Sequence, residues 1–244
     1  MRRFLSLTLL FPAATFAAAA DAETAGPNDN MPPPGFTALF NGKDLTNWQG
    51  LVPINERAKL SPEELAKKQK EANEKFLPHW TVQNGVIVYD GKGNNLQTVK
   101  DYGDFELYVD WKIPPNGDSG IYLRGNPQVQ IWDSDNLKGE NLKKDLHTGS
   151  GGLWNDKHHP NQPLVKADNP VGEWNTFHII MRGDKVTVFL NGKKVVDDTP
   201  LENYWEPGKP LPSTGPIELQ HHGDKLWFKN IYVKDLPAGE ERSK

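Results

Sequence analysis

DFELYVDWKI, residues 104–113, decides the fold class. Phe105, Leu107, Val109, Trp111 and Ile113 alternate with Glu106, Tyr108, Asp110 and Lys112. A period of two puts the apolar set on one face of an extended strand and the polar set on the other. Working outward, the same alternation recurs in SGIYLRG (119–125), PQVQIWD (127–133), NTFHIIMRG (175–183), KVTVFLNG (185–192) and GPIELQHHG (215–223). Asn84-Gly85 and Asn191-Gly192 supply residues that tolerate positive φ, as tight hairpins require, and Gly183-Asp184 reads as a third turn. Strand signals follow one another without intervening helices. The prediction is therefore an all-β, two-sheet antiparallel β-sandwich rather than a parallel βαβ sheet.

Composition narrows the function classes. The chain has 244 residues with 28 Lys+Arg against 32 Asp+Glu, a net charge of −4, which gives no attraction for phosphate backbones and argues against nucleic-acid binding. There is no cysteine, so disulfides, thiolate metal sites and a Cys nucleophile are excluded.

Arg2 and Arg3, an apolar run and the small residues Ala18, Ala20 and Ala22 read as a secretory signal peptide over residues 1–20. The expectation is an exported protein, periplasmic or cell-envelope associated, with no membrane span after signal cleavage. Residues 21–34, polar and rich in proline, read as a disordered tether. The sandwich domain is expected over 35–237, followed by a polar tail at 238–244. Within the domain, residues 61–76 predict a helix inserted on the surface: Ser61 is a good N-cap, Pro62 takes the first helical position and Glu64 completes a capping box. An irregular stretch from 133 to 170, containing TGSGGLWNDKHHPNQP, is long enough to suggest a binding role.

No nucleophile elbow, zinc-binding helix motif, phosphate loop or dinucleotide fingerprint is present. DSDN (133–136) has acids at alternate positions, but without the spacing of a calcium loop it reads as a turn. The informative feature is the polar strand face. If Ile121, Leu123, Val129, Ile131, Ile217 and Leu219 fill the core, then Tyr122, Arg124, Gln128, Gln130, Trp132, Glu218, Gln220 and His222 share the opposite face. Amides and guanidinium offer fixed hydrogen-bond geometry and the aromatic rings offer flat apolar platforms, a combination suited to a sugar.

GFTALFNGKDLTNWQG, DYGDFELYVDWKI, GDSGIYLRG, PQVQIWDSD, VGEWNTFHIIMRGDKVTVFLNGKKVVDD and GPIELQHHGDKLWFKNIYVKDL, in this order, resemble the 3-keto-disaccharide hydrolase domain family from about residue 35 to 236, broken by the helix. The resemblance implies a concanavalin-A-like jelly roll that cleaves 3-keto-glycosides in the bacterial cell envelope. Gln128 and His221 depart from the family's pattern, so neither is expected to supply an acid.

A ketone at C3 of a sugar acidifies the C2 proton. A base removes it, an enolate forms, and the C1 group leaves by β-elimination, with or without later addition of water. Such a site needs a base and a stabiliser for the enolate oxygen, whereas ordinary glycosidases need two carboxylates flanking one bond. The expected base is His222 or Asp133, with Glu218 in reserve. Arg124 is expected to hold the enolate, Gln128, Gln130 and Gln220 the sugar hydroxyls, and Tyr122, Trp132 and Trp154 the ring faces, with His147 closing over the site. No cofactor is fixed by the sequence, and a divalent metal at the enolate is compatible with it. Two other readings compete: a non-catalytic, lectin-like carbohydrate-binding module using the same face, and a structural domain that docks partners through its charged helix.

Overall fold

A computed structural model of the chain describes residues 23–136 and 148–237. The predicted signal peptide (1–20), the polar tail (238–244) and His147 lie outside these residues. Two antiparallel sheets pack face to face, as expected, in a jelly roll. The larger joins β1 (Thr37–Ala38), β3 (Trp80–Gln83), β4 (Val86–Tyr89), β6 (Phe105–Lys112), β9 (Asn175–Arg182), β10 (Lys185–Leu190), β11 (Lys193–Pro200) and β13 (Leu226–Asp235). Its order is β11-β10-β9-β6-β13-β4-β3, with β1 on β13. The smaller sheet joins β2 (Trp48–Gly50), β5 (Leu96–Thr98), β7 (Asp118–Tyr122), β8 (Gln128–Trp132) and β12 (Glu218–Leu219) in the order β2-β5-β12-β7-β8.

The alternation places the core as read. Phe105, Leu107, Val109 and Trp111 of β6 face Ile121, Val129, Ile131 and Leu219 of the other sheet within one apolar cluster. Asn84 and Gly85 both take positive φ (51° and 79°), as do Asn191 and Gly192 (49° and 78°), the signature of the two-residue turns that match strand twist.

Helix α2 (Pro62–Phe76) begins as predicted. The Glu64 amide donates to Ser61 Oγ (3.3 Å) and the Ser61 amide to Glu64 Oε2 (2.8 Å). Its role differs from a solvated insertion. It lies along β2, the edge of the smaller sheet: Gln69 Nε2 donates to the Gly50 carbonyl (2.7 Å) and the Gly50 amide donates to Asn73 Oδ1 (2.9 Å). Side chains thus satisfy a strand edge that would otherwise be open. Only glycine fits here, because a Cβ on Gly50 would collide with the Ala72 carbonyl.

The segment read as a tether is ordered over 23–34. The Ala25 amide donates to the Asn84 carbonyl (2.9 Å), the Asn30 amide to Asn230 Oδ1 (2.6 Å), and Lys229 Nζ to Asp29 Oδ2 (2.5 Å). Lys112, on the polar face of β6, pairs with Glu23 and is buried, its ammonium over the rings of Trp174 (5.4 Å) and Trp227 (4.8 Å). Proline content signalled an extended chain, but extended chain can also dock when its polar groups find partners.

The glycine-rich stretch 148–153 extends the smaller sheet beyond β8. The Gly151 amide donates to the Gln130 carbonyl (2.8 Å) and the Gln130 amide to the Gly152 carbonyl (2.9 Å). Gly151, at φ 96°, packs so closely that a Cβ would meet Val195 Cγ2 at 2.7 Å.

Candidate functional site

Register across the smaller sheet fixes which side chains are neighbours. Gln97 of β5 pairs with Glu218 of β12, Glu218 with Tyr122 of β7, and Tyr122 with Gln128 of β8. Partners directly opposite share a face, so these four form one row. Gly120 and Gln130 form the next row and Asp118 and Trp132 the third. Gln220 joins the second row through its amide, which donates to the Gly120 carbonyl (2.9 Å). Leu96, Leu219, Ile121 and Val129 face the other way, into the core.

Above this face lies a cleft of about 720 Å³, lined by Tyr122, Glu218, Gln220 and His222, together with Asn95, His221 and Trp205. Four of the sequence-predicted residues therefore meet. Gln128 and Gln130 are on the same face but buried, and they form a relay. Gln128 Nε2 donates to Gln220 Oε1 (2.6 Å) and to Gln130 Oε1 (3.0 Å), and Gln130 Nε2 donates to Asp118 Oδ1 (2.8 Å). The bare Gly120 leaves room for the Gln128 amide, with which an added Cβ would collide. The other carboxylate oxygen of Asp118 lies 3.7 Å from His222 Nδ1. The relay therefore runs from the cleft floor at Gln220 to the imidazole at its lip.

Glu218 is 3% exposed. Its Oε2 accepts a hydrogen bond from Asn95 Nδ2 (2.8 Å), and Asn95 Oδ1 accepts the His221 amide (3.0 Å). Burial pushes the Glu218 carboxyl up to about 7, against the pull of the Asn95 bond and the charge of Arg57 on the short helix α1 (Ile54–Arg57). Burial also raises the carboxyl of Asp118, opposed by His222 and Gln130. Burial, then the neighbouring His222, holds His221 below its ordinary value, favouring the neutral ring. Tyr122 is pushed up to about 12 by burial, with Asn155 pulling the other way, so its hydroxyl stays protonated. Trp205 stacks on Tyr122 (6.3 Å, 27°) and its indole donates to the Gly125 carbonyl (3.0 Å), an aromatic wall beside the carboxyl.

Arg124 is elsewhere. The chain leaves the strand at Tyr122, and Arg124 (φ 54°) and Gly125 (φ 68°) make the turn into β8, which takes the side chain out of the alternation. The guanidinium is 3% exposed and donates to the carbonyls of Gly103 (2.9 Å), Gly183 (2.9 Å) and Pro212 (3.3 Å) and to Asp104 Oδ1 (2.8 Å). It pins three loops and cannot hold an enolate in the cleft. Asp133 is likewise a turn residue. One oxygen accepts the amides of Asp135 (3.1 Å) and Asn136 (3.2 Å), the other the Asn116 amide (2.8 Å) and Asn136 Nδ2 (2.8 Å). Burial would raise its carboxyl, but these bonds hold it below the ordinary value. Trp132 donates from its indole to the Gly149 carbonyl (2.9 Å) and meets Trp154 edge to face (5.5 Å), so this pair anchors the glycine-rich segment rather than lining the cleft.

Sequence reasoning missed Asn95, Asp118's part as partner of His222, His221 and Trp205. Asn95 and Trp205 sit in loops, where no period reveals orientation. Asp118 is the first residue of β7, and period two puts His221 on the face opposite His222, but the strand stops at Leu219.

Residues 35–234 match the profile of the 3-keto-alpha-glucoside-1,2-lyase-like domain. A 3-keto-disaccharide hydrolase of Bacteroides thetaiotaomicron is 25% identical over 83% of this chain and 79% of its own. Among solved structures, a candidate glycosyl hydrolase of Parabacteroides distasonis superposes with a TM-score of 0.64 at 28% identity, covering 86% of this chain and all of that one. A second from the same organism, at 24% identity and a TM-score of 0.62 over 94% of this chain and all of its own, shares the fold.

Proposed function

The chain belongs to the 3-keto-alpha-glucoside-1,2-lyase-like domain family, and from that premise we propose that it is an exported enzyme that cleaves 3-keto-glycosides by removing the C2 proton and expelling the C1 group. The observation that carries this reading is one cleft in which Tyr122, Glu218, Gln220 and His222 converge on the polar face of the smaller sheet. His222, exposed at the lip and paired with Asp118, takes the C2 proton. The pair electrons become the C2–C3 enolate, whose charge is met by neutral donors. Glu218, poised near neutrality, carries a proton it can share with the enolate or give to the departing C1 oxygen. Gln220 and Asn95 orient hydroxyls, and the Tyr122–Trp205 stack offers a ring platform. The immediate product is the 2-hydroxy-3-keto-glycal, and water adding across its double bond gives the 3-keto sugar. The signal-like pattern of residues 1–20 is the ground for proposing an extracytoplasmic site of action, and no helix among the described residues is long and apolar enough to cross a membrane.

The test is incubation with a 3-keto-glucoside and mass analysis of the products. Release of 3-keto-glucose or its 2-hydroxy-glycal, with the unmodified glucoside left intact, is expected. Saturable binding of unmodified glycans with no product from the keto substrate would overturn the enzyme reading in favour of a lectin-like module.

A further inference from the structure

A second cluster lies outside the cleft, in the irregular stretch after β8. Asp156, His159 and Glu202 bring one ligand atom each within 4.8 Å of one another. The Asp156 side chain is 1% exposed, and Glu202 and His159 are partly covered, at 20% and 35%. His159 Nδ1 lies 3.1 Å from Asp156 Oδ1 and 3.5 Å from Glu202 Oε1. Those separations match the edges of a tetrahedron of ligands around a small divalent ion, about 3.3–3.4 Å for bonds of about 2.0–2.1 Å. Two carboxylates and an imidazole suit zinc and its neighbours among the transition metals. Lys157, next to Asp156 in the chain, sends its ammonium over the Tyr204 ring (5.6 Å) and gives Glu202 its backbone amide (3.3 Å). His158, 80% exposed, touches Glu202 from outside through Nδ1 (2.5 Å).

The geometry points to a divalent-metal site of the zinc class formed by Asp156, His159 and Glu202, which clips the loop after β8 to the segment after β11. Three protein ligands leave a fourth position for water. Both clipped segments end at the cleft wall. Asn155, beside Asp156, is buried and pulls the Tyr122 hydroxyl down against the effect of burial. Three residues beyond Glu202, Trp205 stacks on Tyr122, held through Asn126, whose Nδ2 donates to Asn203 Oδ1 (2.6 Å) and whose Oδ1 accepts the Tyr204 amide (2.8 Å). The metal would therefore set the position of that wall without touching substrate.

The site can be tested without any substrate. The untagged full chain is stripped with chelator and titrated with Zn²⁺ by calorimetry, with bound metal counted by elemental analysis and thermal unfolding followed with and without the ion. The expected result is one ion per chain and a higher unfolding temperature when loaded. His159→Ala and Glu202→Gln should each weaken binding by more than about 100-fold, beyond the loss of an outer-shell partner, whereas His158→Ala should leave stoichiometry unchanged. Asp156 also accepts the His159 amide (3.1 Å), so Asp156→Asn serves only as a supporting variant if it folds. Absence of saturable one-to-one binding, or binding undiminished in both His159→Ala and Glu202→Gln, would overturn the assignment.

Discussion

Replacing Glu218 with glutamine should stabilise the protein at alkaline pH while removing its activity. A carboxyl raised from 4.5 to about 7 by burial holds its proton in the folded state over a range where the unfolded chain has already released it. The folded state then binds more protons than the unfolded, so stability falls as pH rises from 4.5 to 7 and is level beyond. At about 1.4 kcal/mol per pH unit the burden reaches about 3 kcal/mol at pH 8 and stays below about 1 kcal/mol at pH 5. Glutamine keeps an oxygen for the Asn95 amide, which donates to Glu218 Oε2 (2.8 Å), but never ionises. Glu218→Gln should therefore gain about 3 kcal/mol over the parent at pH 8, of the order of 6–12 °C in unfolding temperature for a chain of this size, and far less at pH 5. Urea or thermal unfolding at several pH values reads this directly. Turnover of a 3-keto-glucoside should fall by orders of magnitude because the shared proton no longer titrates. A difference between variant and parent that does not change from pH 5 to 8 would refute the raised carboxyl, and with it the poised acid.

His222→Ala should lower kcat by about 10²–10⁴-fold, the ordinary contribution of a general base, with unfolding unchanged because the ring is mostly exposed. Asp118→Asn should lower kcat less and shift the pH-rate profile, since it alters the partner rather than the base, and a flat profile in both variants would remove the pair from the reaction. Arg124→Ala is expected to act on stability, by about 3–5 kcal/mol for a broken buried pair with Asp104, measured as the shift in denaturant midpoint. A well-folded Arg124→Ala variant with lost activity would restore Arg124 to the site against its observed partners.

The fold was legible because its signals are local. In β6 the alternation of four apolar residues is unbroken, and two Asn-Gly pairs mark their hairpins by φ alone. The site was legible as far as strand phase reached: Tyr122, Glu218, Gln220, Gln128 and Gln130 share the face that period two assigns them. It failed where the chain turns beyond the end of β7. Arg124 follows Tyr122 by two and should share its side, but a left-handed turn intervenes, and no periodicity survives a change of φ sign. Asp133 failed for a related reason. An Asx-type turn uses its carboxylate locally, as the turn reading of DSDN already implied, and the Asn116 and Asn136 partners commit it there. Residues contributed by loops, Asn95 and Trp205, depend on tertiary packing alone.

Losing the arginine sharpens the chemical reading rather than weakening it. Among the described residues that line the cleft, Glu218 is the one carboxylate, since Asp118 is tied behind His222 and Gln130. Hydrolysis through an oxocarbenium ion needs two carboxyl groups at a set spacing with the scissile bond between them, and this cleft does not present that pair. A permanent cation beside Glu218 would also draw its carboxyl down toward the ordinary range and leave it ionised at neutral pH. With Arg124 committed to Asp104, and Arg57 paired in two bonds with Asp101 (3.0 and 2.8 Å), burial dominates and the acid holds its proton up to about pH 7. A protonated carboxyl, a protonated tyrosine and two primary amides are neutral donors. Neutral donors gain most when negative charge appears on an oxygen that was a ketone a moment before, which is the charge change of enolate formation and not of ring-oxygen cation formation.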